Sequence, residues 1–181
     1  NWFNKLKSLN EIHNKRQINN IYYDTDEFVC AQRNIDGITN RTKFRLRWYN
    51  NNISNCYLEL KIKNGRIGFK IIDPIDEQID QINIKNFLNI KNMIDIKIKD
   101  QILKEILKFR PLKPVLRLQY DRSYFLYEKN IRITIDEDIK YCSPHNLIKS
   151  NFSIEDNLEV VEIKFDTDYL DQARQLISKM P

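Results

Sequence analysis

The sequence predicts an α+β fold in which short antiparallel strands form most of the protein and helices flank them. The chain has 181 residues, which is the length of one domain with one core. Hydrophobic residues make up 41% of it and charged residues 30%, a balance that suits a packed interior. At least seven segments rich in β-branched and aromatic residues follow one another between turn signals, which is typical of a meandering sheet.

Three segments have the apolar spacing of amphipathic helices, at every third and fourth residue. The first runs from Asn1 to about Arg16, and the second from about Asp76 to Phe109. The second ends before Pro111, a residue that cannot continue a helix. The third is C-terminal, and Thr167 or Asp168 could cap it. Its apolar face contains Tyr169, Leu170, Ala173, Leu176 and Ile177.

The remaining segments read as strands separated by turns. In chain order, the predicted strands are Ile18–Tyr23, Phe28–Asn34, Thr42–Tyr49, Cys56–Lys63, Arg66–Ile72, Val115–Tyr120, Tyr124–Tyr127, Ile131–Ile135 and Leu158–Phe165. Turns are indicated at Asp36-Gly37, Asn50–Asn52 and Asn64-Gly65. The last of these separates two alternating segments closely enough for a tight hairpin.

The charge balance favours an anionic partner. Thirty Lys and Arg against 25 Asp and Glu give a formal net charge of +5 and a pI near 9.0. Lysine is weak evidence, because the 28 Ile, 21 Asn and 19 Lys are what AT-rich codon usage produces for any function. The positions of the 11 Arg therefore carry more weight than the total charge.

The cysteines and the apolar segments indicate a cellular compartment. Cys30, Cys56 and Cys142 are odd in number and have no C-x-x-C spacing, which argues against a disulfide framework or a zinc site. No apolar segment has the roughly 18 to 20 residues of a membrane span, and residues 1–10 do not resemble a signal peptide. We therefore expect a cytoplasmic location, which includes the cytosolic face of a membrane.

Several predicted strands alternate cations on one face with apolar residues on the other. On a strand, residues two apart share a face and stand about 6.5 to 7 Å apart. The first such row comprises Arg41, Lys43, Arg45 and Arg47, opposite Thr42, Phe44, Leu46 and Trp48. Later strands repeat the pattern with Glu59, Lys61, Lys63, Arg66, Lys70, Arg132, Thr134, Asp136, Glu162 and Lys164 on the polar face.

Two interpretations of this pattern stay open. The polar faces could simply be solvated, as in many one-sided antiparallel sheets. Alternatively, the strands could curl into a barrel with a cationic, wet interior that binds a chain of phosphates, because Arg binds phosphate oxygens in pairs and Lys supplies point charge. Glu162 then has two possible roles. It could hold a divalent cation against the phosphates, or it could pair with a facing Arg or Lys.

Six short motifs occur in one order along the chain. They are Ile21-Tyr22-Tyr23-Asp24-Thr25, Arg41-Thr42-Lys43-Phe44-Arg45-Leu46-Arg47-Trp48-Tyr49, Leu58-Glu59-Leu60-Lys61, Tyr120-Asp121-Arg122, Ile131-Arg132-Ile133-Thr134-Ile135-Asp136 and Val161-Glu162-Ile163-Lys164. In this order they resemble the vacuolar transporter chaperone (VTC) domain of the triphosphate tunnel metalloenzymes, a CYTH-like superfamily. The resemblance extends from about Ile21 to Lys164, and the R-x-K-x-R-x-R-W-Y motif is its most specific part.

The resemblance implies a closed tunnel of antiparallel strands with polyphosphate polymerase activity, which moves the terminal phosphate of ATP onto a growing chain and releases ADP. It also implies Mn²⁺ or Mg²⁺ as cofactor. The residues that match phosphate-binding positions are Arg45, Arg47, Lys61, Lys70, Arg122 and Arg132. Tyr120 matches a tyrosine beside Arg122, whereas Arg117 is expected to point outward or to lie at the flank. Glu162 matches the metal-binding glutamate, and we add Lys43 and Lys164 as further binding residues of the cationic faces.

Two departures from the family pattern leave alternatives open. The family opens with an E-x-K-Y strand and closes with a lysine-bearing helix, and neither is visible, so we expect a single domain over residues 1–181 that lacks both. Leu60 also replaces a residue that is usually basic. The alternatives are an inorganic triphosphatase of the same superfamily and a non-catalytic polyphosphate-binding subunit. We expect no nucleic acid partner, because Phe44, Trp48 and Phe69 lie opposite the cations, and we expect membrane-associated partner subunits.

Overall fold

The described residues form an antiparallel sheet with short helices. A computed structural model describes residues 9–75, 99–109, 111–144 and 154–180. Its elements are β1 (Leu9–Asp24), α1 (Val29–Ile35), β2 (Arg41–Tyr49), β3 (Asn52–Asn64), β4 (Ile67–Pro74), α2 (Asp100–Lys108), β5 (Lys113–Tyr127), β6 (Ile131–Cys142), β7 (Ile154–Asp156), β8 (Val160–Lys164), a 3₁₀ turn (Thr167–Tyr169) and α3 (Leu170–Ile177). The hydrogen-bonded order is β4-β3-β2-β1-β5-β6-β7, with β8 beside β6. The predicted α+β antiparallel fold class is confirmed.

The strands from β1 to β4 are hydrogen-bonded in chain order, and β2 follows the predicted alternation, whereas Ile67 and Phe69 on the predicted apolar face of β4 are 63% and 54% exposed. Each pairs with the next in antiparallel register. On β2 the predicted apolar face is buried, with Phe44 2%, Leu46 0% and Trp48 4% exposed. The β3–β4 hairpin is also confirmed, because Asn64 pairs with Ile67 across a two-residue turn. Gly65 has a φ of 58° there, a value that glycine adopts without strain.

The predicted N-terminal helix is wrong over the part that the structure describes. Residues 9–16 belong to β1, and residues 1–8 lie outside the described residues. Of the apolar residues in this part, Leu9 packs beside the core and Ile12 is 39% exposed, so no apolar helical stripe is buried. Lys15 instead forms ion pairs with Asp121 and Glu137. Pairing with the sheet has overridden local helical spacing.

The predicted strand Phe28–Asn34 is also wrong, because this segment is helix α1. The cause is the carboxylate of Asp24, which is 3% exposed and accepts the backbone N–H groups of Cys30 and Ala31, each at 2.8 Å. Its Oδ1 accepts the Thr25 N–H as well, at 2.8 Å. These bonds satisfy donors that the first helical turn leaves free, so they favour a helix over the β-branched propensity of the segment.

Smaller differences concern the second half of the chain. The two predicted strands from Val115 to Tyr127 form one strand, β5, and the short strand β7 was not predicted. The second helix is confirmed as α2 over residues 100–108, whereas residues 76–98 of the prediction lie outside the described residues. The C-terminal helix is confirmed as α3, in which Ala173 and Leu176 are buried.

The chain divides by its internal contacts into two compact units, each with its own core. The first comprises Asn1–Gln17, Tyr120–Ile139 and Asp156–Pro181, and the second Ile18–Gln119 and Lys140–Glu155. In the first unit Tyr127, Ile131, Ile133, Ala173 and Leu176 form the core. In the second, α2 buries Ile102 and Ile106 against the apolar face of β2 and β3. A single domain that lacks a first strand and a last helix stays a prediction.

Two further findings concern the cysteines and the helices. The cysteines are free and buried, and burial raises the pKa of Cys30 and of Cys56 to about 12. In the part of the chain that the structure describes, no helix combines the length and the apolar character that crossing a bilayer requires.

The role of Asp24 leads to a stability prediction. We expect Asp24→Ala to lower the free energy of unfolding by about 2 kcal/mol, because it removes a buried charged acceptor of three backbone N–H groups. Urea denaturation followed by circular dichroism measures this. Asp26→Ala is the matched control, since Asp26 pairs with Lys113 at the surface and should change stability by less than about 0.5 kcal/mol. Equal losses in the two variants would contradict the capping role.

Candidate functional site

Three lysines from three strands form one row on the polar face of the second unit. Lys43 on β2 is directly opposite Lys61 on β3, and Lys61 is directly opposite Lys70 on β4. Such cross-strand neighbours stand about 4.5 to 5.5 Å apart, so three like charges repel at close range. Burial lowers the pKa of Lys43, and the charge of Lys61 lowers it further. This lysine row concentrates positive charge for which an anionic ligand would compensate.

Glu59 is the carboxylate that anchors the cations next to this row. It is directly opposite Arg45 in the ladder and is 4% exposed. Arg45 donates from Nε to Oε2 at 2.6 Å, and Lys70 Nζ lies 2.8 Å from Oε1. Arg47 Nη1 lies 3.9 Å from Oε2. Burial would raise the pKa of Glu59, but the charges of Arg45 and Arg47 and the hydrogen bond from Lys70 hold it below its ordinary value.

The two arginines of β2 are oriented by neutral side chains of β1. Arg45 donates from Nη1 to the Tyr22 hydroxyl at 3.3 Å, and Arg47 donates from Nε to Asn20 Oδ1 at 2.8 Å. Burial alone would lower the pKa of Arg45, yet Tyr22 and Glu59 raise it overall. Because both guanidinium groups already have fixed partners, a ligand would meet them in a prearranged geometry. The Arg47 side chain is 6% exposed, which is less exposure than we expect for a residue that contacts phosphate directly.

A second polar cluster lies on the first unit, at β5 and β6. Arg122 binds Asp136 through two hydrogen bonds, Nε to Oδ1 at 2.5 Å and Nη2 to Oδ2 at 2.7 Å. Its Cζ lies 5.2 Å from the centroid of the Tyr120 ring, so the two side chains share a strand face as predicted. Burial opposes the charge of Arg122, but the bonds from Asp136 raise its pKa overall. Aromatic stacking and the bidentate pair together fix this guanidinium.

Beside that pair, β6 and β8 bring the remaining predicted residues together. Arg132 is directly opposite Lys164, and Thr134 is directly opposite Glu162. The Glu162 carboxylate accepts a hydrogen bond from Lys164 Nζ at 2.8 Å. This hydrogen bond joins two residues of β8, whereas the ion pair with a facing Arg or Lys that the sequence left open stays a prediction.

Glu162 also has features that suit a metal ligand. Its side chain is 42% exposed, and the facing Thr134 has a buried Oγ1 with no hydrogen-bond partner in the structure. Mg²⁺ is usually held by one or two carboxylates together with substrate phosphates and water. Among the residues described, no group of three or more His, Cys, Asp or Glu side chains could enclose a metal. Glu162 therefore fits as a single carboxylate ligand of a cation that phosphates would also bind.

The expectation that Arg117 points outward is wrong. Its Nε is buried, and the side chain forms a hydrogen bond with Cys142. Burial lowers the pKa of Arg117, although the residue as a whole is half-buried.

Three partners of the predicted residues were not identified from the sequence. They are Glu59, Asn20 and Asp136, which hold Arg45, Arg47 and Arg122 respectively. The alternation of β3 did place Glu59 on the face of Lys61, but it could not show that Arg45 lies opposite. Asn20 gave no signal, because asparagine is abundant throughout this chain.

Comparison with known proteins agrees with this fold. A sequence model of the VTC domain matches residues 4–180. The chain is 24% identical over 154 residues to vacuolar transporter chaperone complex subunit 4 of Trypanosoma brucei brucei (strain 927/4 GUTat10.1), covering 68% of this chain and 19% of that protein. It is 22% identical over 156 residues to the subunit of the same name from Trypanosoma cruzi (strain CL Brener), covering 70% and 20%. The chain thus spans about a fifth of the length of the curated relatives it matches.

A solved structure shows the fold independently of these relatives. It belongs to a putative adenylyl cyclase from Hippeastrum that is described as revealing a dominant triphosphatase activity. The two structures superpose with a TM-score of 0.56 at 15% sequence identity, covering 93% of this chain and 76% of the other. At that identity the likeness establishes the fold, which is the tunnel fold class predicted from the sequence, and not the activity.

The position of Glu59 leads to a prediction about stability and pH. We expect Glu59→Gln to lower the free energy of unfolding at pH 7 by roughly 3 kcal/mol, because it leaves buried arginine charge uncompensated. Since the pKa of Glu59 is depressed in the folded state, its contribution is complete above the ordinary glutamate pKa and is lost as the pH falls through the folded-state value. Denaturation of both proteins from pH 7 to pH 3 measures this.

The difference in stability between wild type and variant should therefore shrink below about pH 4. Glu27→Gln is the control, since Glu27 is exposed in the same unit and should have an effect below about 0.5 kcal/mol. A difference that is constant across this pH range would show that the charge of Glu59 is not what stabilises the cluster.

Proposed function

Because the chain belongs to the VTC domain family, we propose that it is a polyphosphate polymerase that transfers the γ-phosphoryl group of ATP to a growing polyphosphate chain. The observation that supports this most directly is the lysine row beside Arg45 and Glu59. Repelling cations held in register by three strands cost stability, so a highly charged anion is the ligand that suits them. A chain of phosphates, which bears charge on every unit, meets that requirement.

Phosphoryl transfer asks the protein mainly for alignment and for neutralisation of charge. In the proposed reaction the bond between the γ-phosphorus and the β–γ bridging oxygen breaks, and ADP leaves. A new bond forms between the γ-phosphorus and a terminal oxygen of the polyphosphate chain. Lys43, Lys61 and Lys70 supply point charges to the phosphate oxygens. Arg45 supplies a guanidinium group whose orientation is already fixed by Glu59. Arg47 is buried below the polar face and contributes positive charge from there.

We propose a phosphate-binding role for the cluster of the first unit as well. Arg122 and Arg132 bind phosphoryl oxygens, Lys164 adds charge, and the Tyr120 ring positions Arg122. Glu162 would hold Mn²⁺ or Mg²⁺, which neutralises phosphate charge when it is bound. Lys164, which now donates a hydrogen bond to Glu162, would be the cation closest in sequence to such a metal ligand.

We also propose that the chain works within an assembly. The two curated relatives are named as subunits of a vacuolar transporter chaperone complex, which motivates partner subunits that are membrane-associated. A position at the cytosolic face of a membrane would supply ATP to the cationic faces.

The arginines give the first test of this function. We expect Arg45→Ala or Arg132→Ala to lower ATP-dependent polyphosphate synthesis at least 100-fold, since each removes a charge-assisted contact to the transferring phosphates. Polymer is resolved by gel electrophoresis after incubation with ATP and Mn²⁺. Arg174→Ala is the matched control, because Arg174 pairs with Asp171 at the surface of α3, and the activity of this variant should be unchanged.

The products decide between the proposal and its alternatives. Polymer that contains phosphate from ATP supports the polymerase. Free phosphate released from tripolyphosphate without polymer would identify a triphosphatase instead, and tight binding without turnover would identify a binding subunit. Normal synthesis by Arg45→Ala would exclude the proposed role of that residue.

Glu162 gives a second test that concerns the metal. We expect Glu162→Gln to raise the Mn²⁺ concentration needed for half-maximal synthesis about tenfold or more, because the neutral amide is a poorer ligand. Glu159→Gln is the control, since Glu159 is an exposed carboxylate just before β8. An unchanged metal requirement would exclude Glu162 as a metal ligand.

A further inference from the structure

A separate cationic pocket lies on the second unit, at the end of β2 and β3. It has a volume of about 450 Å³, within the range of about 300 to 1,000 Å³ that small-molecule sites occupy. Thr42 and Ile62 line it, and these two residues are directly opposite each other on the ladder. Since each is adjacent in sequence to a member of the lysine row, alternation places them on the opposite face of the sheet. The pocket thus reaches the face opposite the lysine row, whereas Arg41 and Lys63, which also line it, continue the face of that row at the ends of the two strands.

The charge of this pocket is strongly positive. Its lining includes four cations, namely Arg33, Arg41, Lys63 and Lys108, and one carboxylate, that of Glu105. Glu105 pairs with Lys108. Among the residues that the structure describes, Arg33, Arg41 and Lys63 have no carboxylate partner. Three positive charges thus remain uncompensated around one small cavity.

Two of these charges are forced together by the sheet. Arg41 and Lys63 are directly opposite each other on β2 and β3. Like charges at that position destabilise the pair unless an anion lies between them. Arg41 is also fixed in place, because its Nη1 donates to the Ile38 carbonyl at 3.0 Å. One phosphoryl group could accept hydrogen bonds from both side chains at once.

The aromatic wall of the pocket is equally well held. Phe109 packs edge-on against the buried Phe44, with ring centroids 5.6 Å apart. Arg33 lies over the Phe109 ring, with Cζ 5.6 Å from its centroid. Stacking limits the motion of this guanidinium while its N–H groups remain available to a ligand. At the rim, Asn40 Oδ1 accepts the Gly65 N–H at 3.3 Å, which leaves its amide N–H₂ as a further donor.

We propose that this pocket is a second anion site, which binds a short condensed phosphate such as pyrophosphate or tripolyphosphate. The compact arrangement of charge favours that ligand over an acidic peptide. Successive side chains of an extended peptide are about 3.3 to 3.4 Å apart and alternate in direction, so few carboxylates reach one small cavity. Linked phosphoryl groups carry comparable charge in less space, and each has several oxygens for the Arg forks. This site does not depend on the polymerase activity proposed above.

Binding at the pocket can be measured residue by residue. Tripolyphosphate is titrated into the ¹⁵N-labelled chain without ATP or metal, and amide shifts are followed by NMR at Asn40, Thr42, Lys63 and Asn64. We expect saturable shifts at these amides. Lys108→Ala should weaken that binding about tenfold or more, because it removes one charged contact and also exposes the carboxylate of Glu105.

Matched variants separate the pocket from other effects. Lys104→Ala removes the same charge from the same helix one turn earlier, outside the pocket, and should leave the affinity within about twofold. Lys61→Ala weakens the lysine row and should also leave pocket binding unchanged. Arg33→Lys keeps the charge but removes the planar guanidinium that stacks on Phe109. We expect it to lower the affinity for tripolyphosphate less than Arg33→Ala does.

Three results would overturn the proposal. One is the absence of saturable shifts at the pocket amides. Another is an equal loss of binding in Lys104→Ala and Lys108→Ala, which would indicate general charge attraction. The third is displacement of tripolyphosphate by an equal concentration of poly-glutamate, which would identify an acidic peptide as the better ligand. None of these results bears on polymer synthesis, so failure of this site and failure of the proposed function are distinguishable.

Discussion

The buried carboxylate of Glu59 is the interaction on which the cationic face of the second unit depends. Three cations from two strands approach it, and Arg45 and Lys70 contact it directly. Without such an anchor, the charges on β2, β3 and β4 would repel one another and would orient freely in solvent. With it, each cation keeps one fixed partner and still presents its remaining donors. The carboxylate thus converts a repulsive face into an ordered binding surface.

The cluster of the first unit uses the same physical device with different residues. Asp136 holds Arg122 as Glu59 holds Arg45, and in each case an aromatic residue, Tyr120 or Tyr22, completes the contact. A guanidinium group that already has two fixed partners loses little conformational entropy when a ligand binds, because its side chain was ordered when the protein folded. A fold that prepares arginines in this way favours ligands with dense, localised negative charge.

Much of this arrangement could be predicted from the sequence, because strand alternation is a local property. The alternating motif of β2 was sufficient to assign Phe44 and Leu46 to the core and Lys43 and Arg45 to the other face. Local patterns failed where distant residues decide the structure. Asp24 determines that Val29–Ile35 is a helix, through backbone donors that no propensity scale considers. Residues 9–16 became a strand because the sheet offered them hydrogen bonds.

The partners within the candidate site were harder to predict because the register of β2 and β3 is irregular. Counting back from the pair of Tyr49 and Asn52 would place Arg45 opposite Cys56. The observed partner is Glu59, since the register shifts between Arg47 and Tyr49. No feature of the sequence marks that shift, so the central ion pair emerges only from the structure.

The two-residue turn at Gly65 has a consequence for how related sequences should be compared. Because Asn64 pairs with Ile67, Lys70 comes to lie opposite Lys61 and can reach Glu59. A single insertion or deletion between these strands would turn the Lys70 side chain to the opposite face of the sheet, although the residue would still be a lysine. Among homologues, an aligned lysine is therefore informative only when the distance from the turn is also preserved, so loop length is itself part of the functional signature.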